Sequence, residues 1–319
     1  MPERTAVLLL AHGTPDSLDE IPEYLRNITG GRPLPESVVE EIRHRYSLIG
    51  PSPLTALTLE QGRMLSVELG LPVYVGMRNW KPYIADVLAG MCEDGIERAV
   101  AICLAPQNSR TSVGLYRKAV FNAAGGIEIE FIEGWADHTL LVDAFAERLR
   151  EVWDPFSTEA DGPVPVLFTA HSVPCRTIQT PPDAEARAAS VPDPYAIEAK
   201  RTAALVAQRV GLAPDNWFFA FQSQGMSGGP WIGPTVEDTL TALRKEGVQQ
   251  LVIQPIGFLC DHVEILYDID IGFRQFAANL DMELRRPESL NGSPLLIAAL
   301  ADLARAALER LAEPQHGAR

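Results

Sequence analysis

The stretch Val166-Leu-Phe-Thr-Ala-His171-Ser decides the fold, because a near copy, Val7-Leu-Leu-Leu-Ala-His12-Gly, stands at the start of the chain. Each is a short apolar run that reads as a strand buried on both faces and ended by a histidine. In open parallel sheets ligands bind in the crevice outside the carboxyl ends of the strands, so each copy aims one imidazole at such a crevice. The repetition predicts a duplicated α/β fold with its chemistry between the halves.

Working outward, apolar runs at 5–11, 72–77, 97–104 and 127–132 predict strands, and amphipathic stretches near 37–49, 56–69, 82–94 and 137–152 predict helices. The alternation describes βαβ units. The rhythm restarts after Asp154-Pro-Phe-Ser-Thr-Glu-Ala-Asp-Gly162, with strands at 165–170, 216–222 and 249–257 and helices near 195–210, 235–246 and 262–277. That Pro- and Gly-bearing stretch is therefore read as the connecting loop, giving domains 1–157 and 158–319. Two domains of about 150 residues each suit the length of 319 residues. A closing helix at 296–312 has the option of packing back on the first domain. Thr235 with Asp238 marks a helix start, and Gly247 its stop. The Pro-rich connection 173–195 follows His171 and reads equally well as a lid or as a surface insertion.

The formal net charge of -15 argues against nucleic acid and anionic membranes as partners. No apolar run reaches the ~20 residues of a membrane span. Met1 to Arg4 lead straight into the first strand without room for a secretory signal, so a cytoplasmic protein is expected. Cys92, Cys103, Cys175 and Cys260 are scattered without C-x-x-C spacing, which predicts reduced thiols and no iron–sulfur cluster.

Asp261-His-Val-Glu264-Ile-Leu-Tyr-Asp268-Ile-Asp270 opens a helix just after a strand, and Glu264 and Asp268, four apart, share one face. A well-capped acidic helix start would explain it alone. Beside His171, however, Glu264 completes a His/carboxylate pair able to hold a divalent metal or to move protons. Gly225-Met-Ser-Gly-Gly229 matches the G-x-S-x-G nucleophile elbow only formally, since Pro230 and Pro234 delay the next helix. No G-x-G-x-x-G follows Ala11 and no Walker A sequence occurs, so nucleotide binding lacks a motif. Arg32, Arg45, Tyr46, Ser52, Arg78, Arg110 and Tyr116 are candidate donors to carboxylates, and Trp231 sits on a Gly/Pro loop able to face a flat ligand.

Taken together, Ala170-His-Ser-Val-Pro174, Gln222-Ser with Trp231-Ile-Gly-Pro234, and Asp261 to Asp270 resemble the ferrochelatase family. Ile49-Gly-Pro-Ser-Pro53, Gly76-Met-Arg78 and Arg286-Pro-Glu-Ser-Leu-Asn-Gly-Ser-Pro294 extend the resemblance over nearly the whole chain. It implies two Rossmann-like domains around a porphyrin cleft, and insertion of Fe²⁺ with release of two pyrrole protons. It also implies that His171 and Glu264 form the catalytic pair on one face of the macrocycle. His12 stands where similar short bacterial enzymes carry tyrosine and animal enzymes methionine, and should face the other side of the ring. His12, Arg32, Arg45, Tyr46, Ser52, Tyr116 and Trp231 are thus the expected porphyrin contacts, and His171, Glu264 and Asp268 the metal contacts. No cofactor beyond substrate Fe²⁺ is expected, and a monomer is. Gly272 stands where the family commonly extends its acidic row.

The polar segment Asn27-Ile-Thr-Gly-Gly-Arg32-Pro-Leu-Pro35 resembles enzymes that take coproporphyrin III, whereas the 286–292 stretch resembles those that take protoporphyrin IX. The balance falls on coproporphyrin III. A cobalt or nickel chelatase of another tetrapyrrole, and a non-catalytic haem-binding protein, are the rival readings.

Overall fold

A computed structural model describes residues 4–160, 162–178, 193–225 and 229–312. In the first half, β1 (Thr5–Ala11), β2 (Val73–Met77), β3 (Arg98–Cys103) and β4 (Glu128–Ile132) pair in parallel in the order β2-β1-β3-β4. Helices α1 (Ile21–Ile28), α2 (Glu36–Ile49), α3 (Leu54–Leu69), α4 (Ile84–Glu93), α5 (Val113–Ala123) and α6 (Thr139–Glu159) accompany it. In the second half, β5 (Val166–His171), β6 (Trp217–Gln222), β7 (Gln250–Pro255) and β8 (Glu283–Arg285) repeat the order as β6-β5-β7-β8. Its helices are α7 (Cys175–Ile178), α8 (Tyr195–Val210), α9 (Val236–Lys245), α10 (Val263–Leu266), α11 (Arg274–Asn279) and α12 (Pro294–Ala312). The duplicated α/β architecture expected from the two histidine phrases is what the chain adopts.

Every residue of β1 is buried, as a strand covered on both faces requires. Alternation then divides its side chains: Val7, Leu9 and Ala11 enter one core, and Leu8 and Leu10 another. In β5, Val166, Phe168 and Ala170 enter the same core as Val7 and Leu9, while Leu167 faces away. The inner faces of both sheets therefore share one continuous apolar core, filled by α6, α8 and α12. Leu296, Ile297 and Leu300 of α12 lie in it, and α12 packs on α3 and β3 of the first half. The closing helix thus ties the halves together.

Three expectations change. The stretch from Asp154 is not a loop, because α6 runs through Pro155 to Glu159, and the 157/158 boundary falls in its last turn. Proline inside a helix costs about 3 kcal/mol. Full burial of Phe156 returns about as much, and Trp153 Nε1 donates to the Val164 carbonyl at 2.8 Å. The 262–277 helix is three pieces, with a π-helical turn at Asp268–Phe273 in which the Gly272 amide donates to the Tyr267 carbonyl at 2.9 Å. Strand β8, three residues long, carries no apolar run that would announce it. Helix α9 starts as expected, with Thr235 Oγ1 accepting from the Asp238 amide at 3.0 Å. Most of the 173–195 connection lies outside the described residues, and with it the lid reading.

Candidate active site

The carboxyl ends of the two sheets face one cavity of 320 Å³. The first half lines it with His12, Gly13, Thr14, Tyr24, Tyr46, Ser109 and Tyr116, and the second with His171, Tyr195, Phe258, His262 and Glu264. Hydrogen bonds between the halves fix its width: Gln107 Nε2 donates to Thr202 Oγ1 at 3.2 Å and to the Ile256 carbonyl at 3.1 Å. Nearby, the Asn108 amide donates to Glu198 at 2.6 Å and the Arg110 amide to Asp193 at 2.9 Å. Gly13 has φ of +83°, and a Cβ there would lie 2.9 Å from Trp80, so only glycine lets the chain turn away directly after His12.

His171 ends β5, with its carbonyl accepting from the Tyr195 hydroxyl at 2.9 Å and its Nδ1 against the Ser172 carbonyl. Its Nε2 meets Glu264 Oε1 at 3.1 Å. Glu264 lies in the first turn of α10, and its other oxygen meets His262 Nε2 at 3.3 Å. The Cys260 carbonyl, 2.9 Å from His262 Nδ1, fixes that ring. Burial opposes charge on both members of the pair. The charge of Glu264 and its hydrogen bond nevertheless hold His171 above the ordinary imidazole value, and His171 and His262 hold Glu264 well below the ordinary carboxylate value. Each member of the pair therefore favours the charged form of the other. Among the described residues no cluster of three or more His, Cys, Asp or Glu forms a ready-made metal site.

His12 differs. It directly follows β1, with Nδ1 3.1 Å from the Gly13 carbonyl and 3.2 Å from the Tyr24 hydroxyl. Burial, reinforced by the charge of Arg78, lowers its pKa to about 4, so the ring is uncharged at neutral pH.

Similarity to known proteins decides what this cavity belongs to. The ferrochelatase family model matches residues 4–308. A ferrochelatase of Acidobacterium capsulatum is 71% identical, covering 98% of this chain and 97% of that protein. The chain belongs to the ferrochelatase family. It is a metal chelatase of haem and porphyrin biosynthesis, with a porphyrin and iron as substrates. A coproporphyrin III ferrochelatase of Geobacillus kaustophilus is 34% identical over 98% of each chain. Among solved structures, the chelatase SirB from Bacillus subtilis with Fe³⁺ superposes with a TM-score of 0.56 at 11% identity, covering 95% of both chains. That likeness concerns the fold.

Within this ferrochelatase, His12, Tyr46, Tyr116, His171 and Glu264 line the cavity, and Arg32, Arg45, Ser52, Trp231 and Asp268 do not. Asp268 is engaged by Ser223 Oγ and by Arg45 at 3.4 Å, and burial raises its pKa. Arg45 also reaches Glu41 at 2.9 Å and lies over the Tyr267 ring. Arg32 is exposed and donates to the Thr29 carbonyl at 3.1 Å. Ser52 lies off the cavity, and Trp231 packs its ring where a Cβ on Gly225 would stand. Sequence reading overlooked Thr14, Tyr24, Tyr195 and His262 as site residues. His262 could have been found from its place in the acidic motif, whereas Tyr24 reaches His12 from a different helix and left no local signal. Helices long and apolar enough to cross a membrane are absent among the described residues, and the four cysteines are free.

Proposed function

We propose that the ferrochelatase works on coproporphyrin III, with His171 and Glu264 as the pair that receives the pyrrole protons and handles Fe²⁺ over one face of the ring. The observation that carries the reading is the half-buried 3.1 Å contact between them at a cavity wall. A flat porphyrin with two N–H groups admits a metal only when it buckles, so a rigid cleft favouring the bent ring lowers the barrier. An arriving Fe²⁺ disfavours a proton on His171 by charge repulsion and drives it to solvent in the cavity; the freed imidazole then takes the two pyrrole protons in turn and passes each to solvent, while the carboxylate offers an oxygen ligand. Nitrogen and oxygen ligands hold ferrous iron less firmly than thiolates, which suits transfer onward.

Hydroxyls of Thr14, Tyr46, Ser109 and Tyr116 at the first-half wall, with Arg78 5.1 Å from the Tyr116 ring centre, support a substrate rich in carboxylates. On this reading no organic cofactor or iron–sulfur centre takes part, and the enzyme acts as a cytoplasmic monomer. The test is metalation under anaerobic Fe²⁺ with coproporphyrin III and protoporphyrin IX compared side by side. A higher kcat/KM for coproporphyrin III is expected. Preference for protoporphyrin IX overturns the substrate, and full activity of Glu264→Gln overturns the roles.

A further inference from the structure

The segment Arg286-Pro-Glu-Ser-Leu-Asn291 lines no part of the cavity, yet its arginine has only 10% of its side chain accessible. Arg286 follows β8 and reaches both ends of the acidic segment. Its Nε and Nη2 donate to the two oxygens of Asp270 at 2.8 and 2.7 Å, and its Nη1 donates to Asp261 at 3.3 Å. Between those carboxylates lie His262, Glu264, Asp268 and the start of the π-helical turn.

The Asp261 end is bound further. Ser289 Oγ donates to Asp261 at 2.7 Å, Asn291 Nδ2 donates to it at 3.0 Å, and the Asp261 amide donates to Asn291 Oδ1 at 3.0 Å. Gln61 of α3, in the other half of the molecule, donates to the Asn291 carbonyl at 2.6 Å. One continuous chain of hydrogen bonds thus runs from α3 to Asp270.

We infer that Arg286 is a positioning residue for metal insertion, clamping Asp261 and Asp270 so that the segment between them keeps Glu264 against His171. The inference rests on the roles given to that pair above. A planar fork that serves two carboxylates at once is needed, because a lysine offers a single point charge that reaches only one of them. Without the clamp the π turn loses its outer anchor, and a displacement of about 1 Å at Glu264 is enough to cost a hundredfold in rate.

The test measures kcat per porphyrin-binding site, with sites counted by stoichiometric porphyrin binding, in Arg286→Lys, Asp270→Asn and Ser289→Ala. Arg286→Lys should lower kcat per site by about tenfold or more while the porphyrin KM stays within about twofold. Asp270→Asn should show the same split more weakly, and Ser289→Ala more weakly still. A structural rivet would instead lower the number of sites and leave each at full rate. If every variant that forms sites turns over within about twofold of the wild type per site, the inference is wrong. Ser289→Ala loosens the Asp261 end but leaves the fork on Asp270 intact, so it should form sites and still lower kcat per site by more than about twofold, which decides the matter by the same criterion if the other two form no sites. Glu264→Gln is measured alongside: its inactivity beside a fully active Arg286→Lys defeats the clamp alone, whereas its full activity defeats the pair itself.

Discussion

His12 and His171 end equivalent strands of two sheets with the same strand order, after phrases that differ in only a few residues, yet they carry opposite electrostatics. The difference comes from the neighbouring loops. After β7, third in each order like β3, the chain enters α10 and sets Glu264 against His171. After β3 it enters a loop bearing Ser109, Thr111 and Ser112, with no carboxylate for His12, while β2 delivers Arg78. One imidazole is thus pushed toward its charged form and the other kept neutral by the segments that leave the adjacent strands. A duplicated scaffold becomes asymmetric through its loops, and the asymmetry gives the two faces of the cavity different chemistry.

The strongest way to break this contrast is Glu264→Gln. It removes the partner that holds His171 charged, and kcat should fall by about 10²- to 10⁴-fold while porphyrin still binds, as followed by quenching of porphyrin fluorescence. Retained turnover would mean that the contrast between the histidines is incidental to catalysis.

His12→Phe probes the other side. For His12 the gap between 6.5 and about 4 makes the folded state the weaker proton binder, so its stabilising contribution is present above 6.5 and lost as pH falls toward 4, about 3 kcal/mol in all. His171 has the opposite sign: its folded pKa is raised, so its contribution is full below 6.5 and fades as pH rises through the folded value. Denaturant melts at pH 7 and pH 4 should therefore show a smaller acid loss in His12→Phe than in the wild type. In the haem complex the same variant should change the Soret band more than turnover, and an unchanged band would separate His12 from the ring axis.

How much of this was legible varies with the range of the interactions. Strands such as β1 and β5, buried on both faces, announce themselves as apolar runs, and Thr235 with Asp238 shows the start of α9, because the deciding interactions are local. Pro155 misleads, since the burial of Phe156 that keeps α6 going depends on a distant sheet. The pairing of His171 with Glu264 could be proposed from topology, since both follow strand ends of one half. Tyr24 on His12 and Ser223 on Asp268 could not, because they come from separate elements with no pattern of their own. The arginines misled for a related reason: a sequence shows a charge but not its partner, and Arg45 is taken by Glu41 and Asp268.

Arg78→Gln sharpens the comparison with a smaller effect. Burial is the larger cause of the low His12 pKa and the guanidinium the second, so the variant should raise that pKa while leaving it below 6.5, as read from the imidazole proton shifts in an NMR titration. A value at or above 6.5 would make charge, not burial, the origin of the contrast.

The smallest effect belongs to Asp268→Asn. The Asp268 carboxylate is the weakest of the groups that raise His171, after Glu264 and the Ser172 carbonyl. If turnover needs His171 to give up its proton, the acid limb of the pH–rate profile lies above 6.5, and losing one remote negative charge should move it down by a few tenths of a pH unit. An unmoved limb would mean that the contacts of Asp268 with Ser223 and Arg45 screen its charge from His171. The presence or absence of that shift therefore tells whether the charge acting on His171 extends beyond Glu264 or ends there.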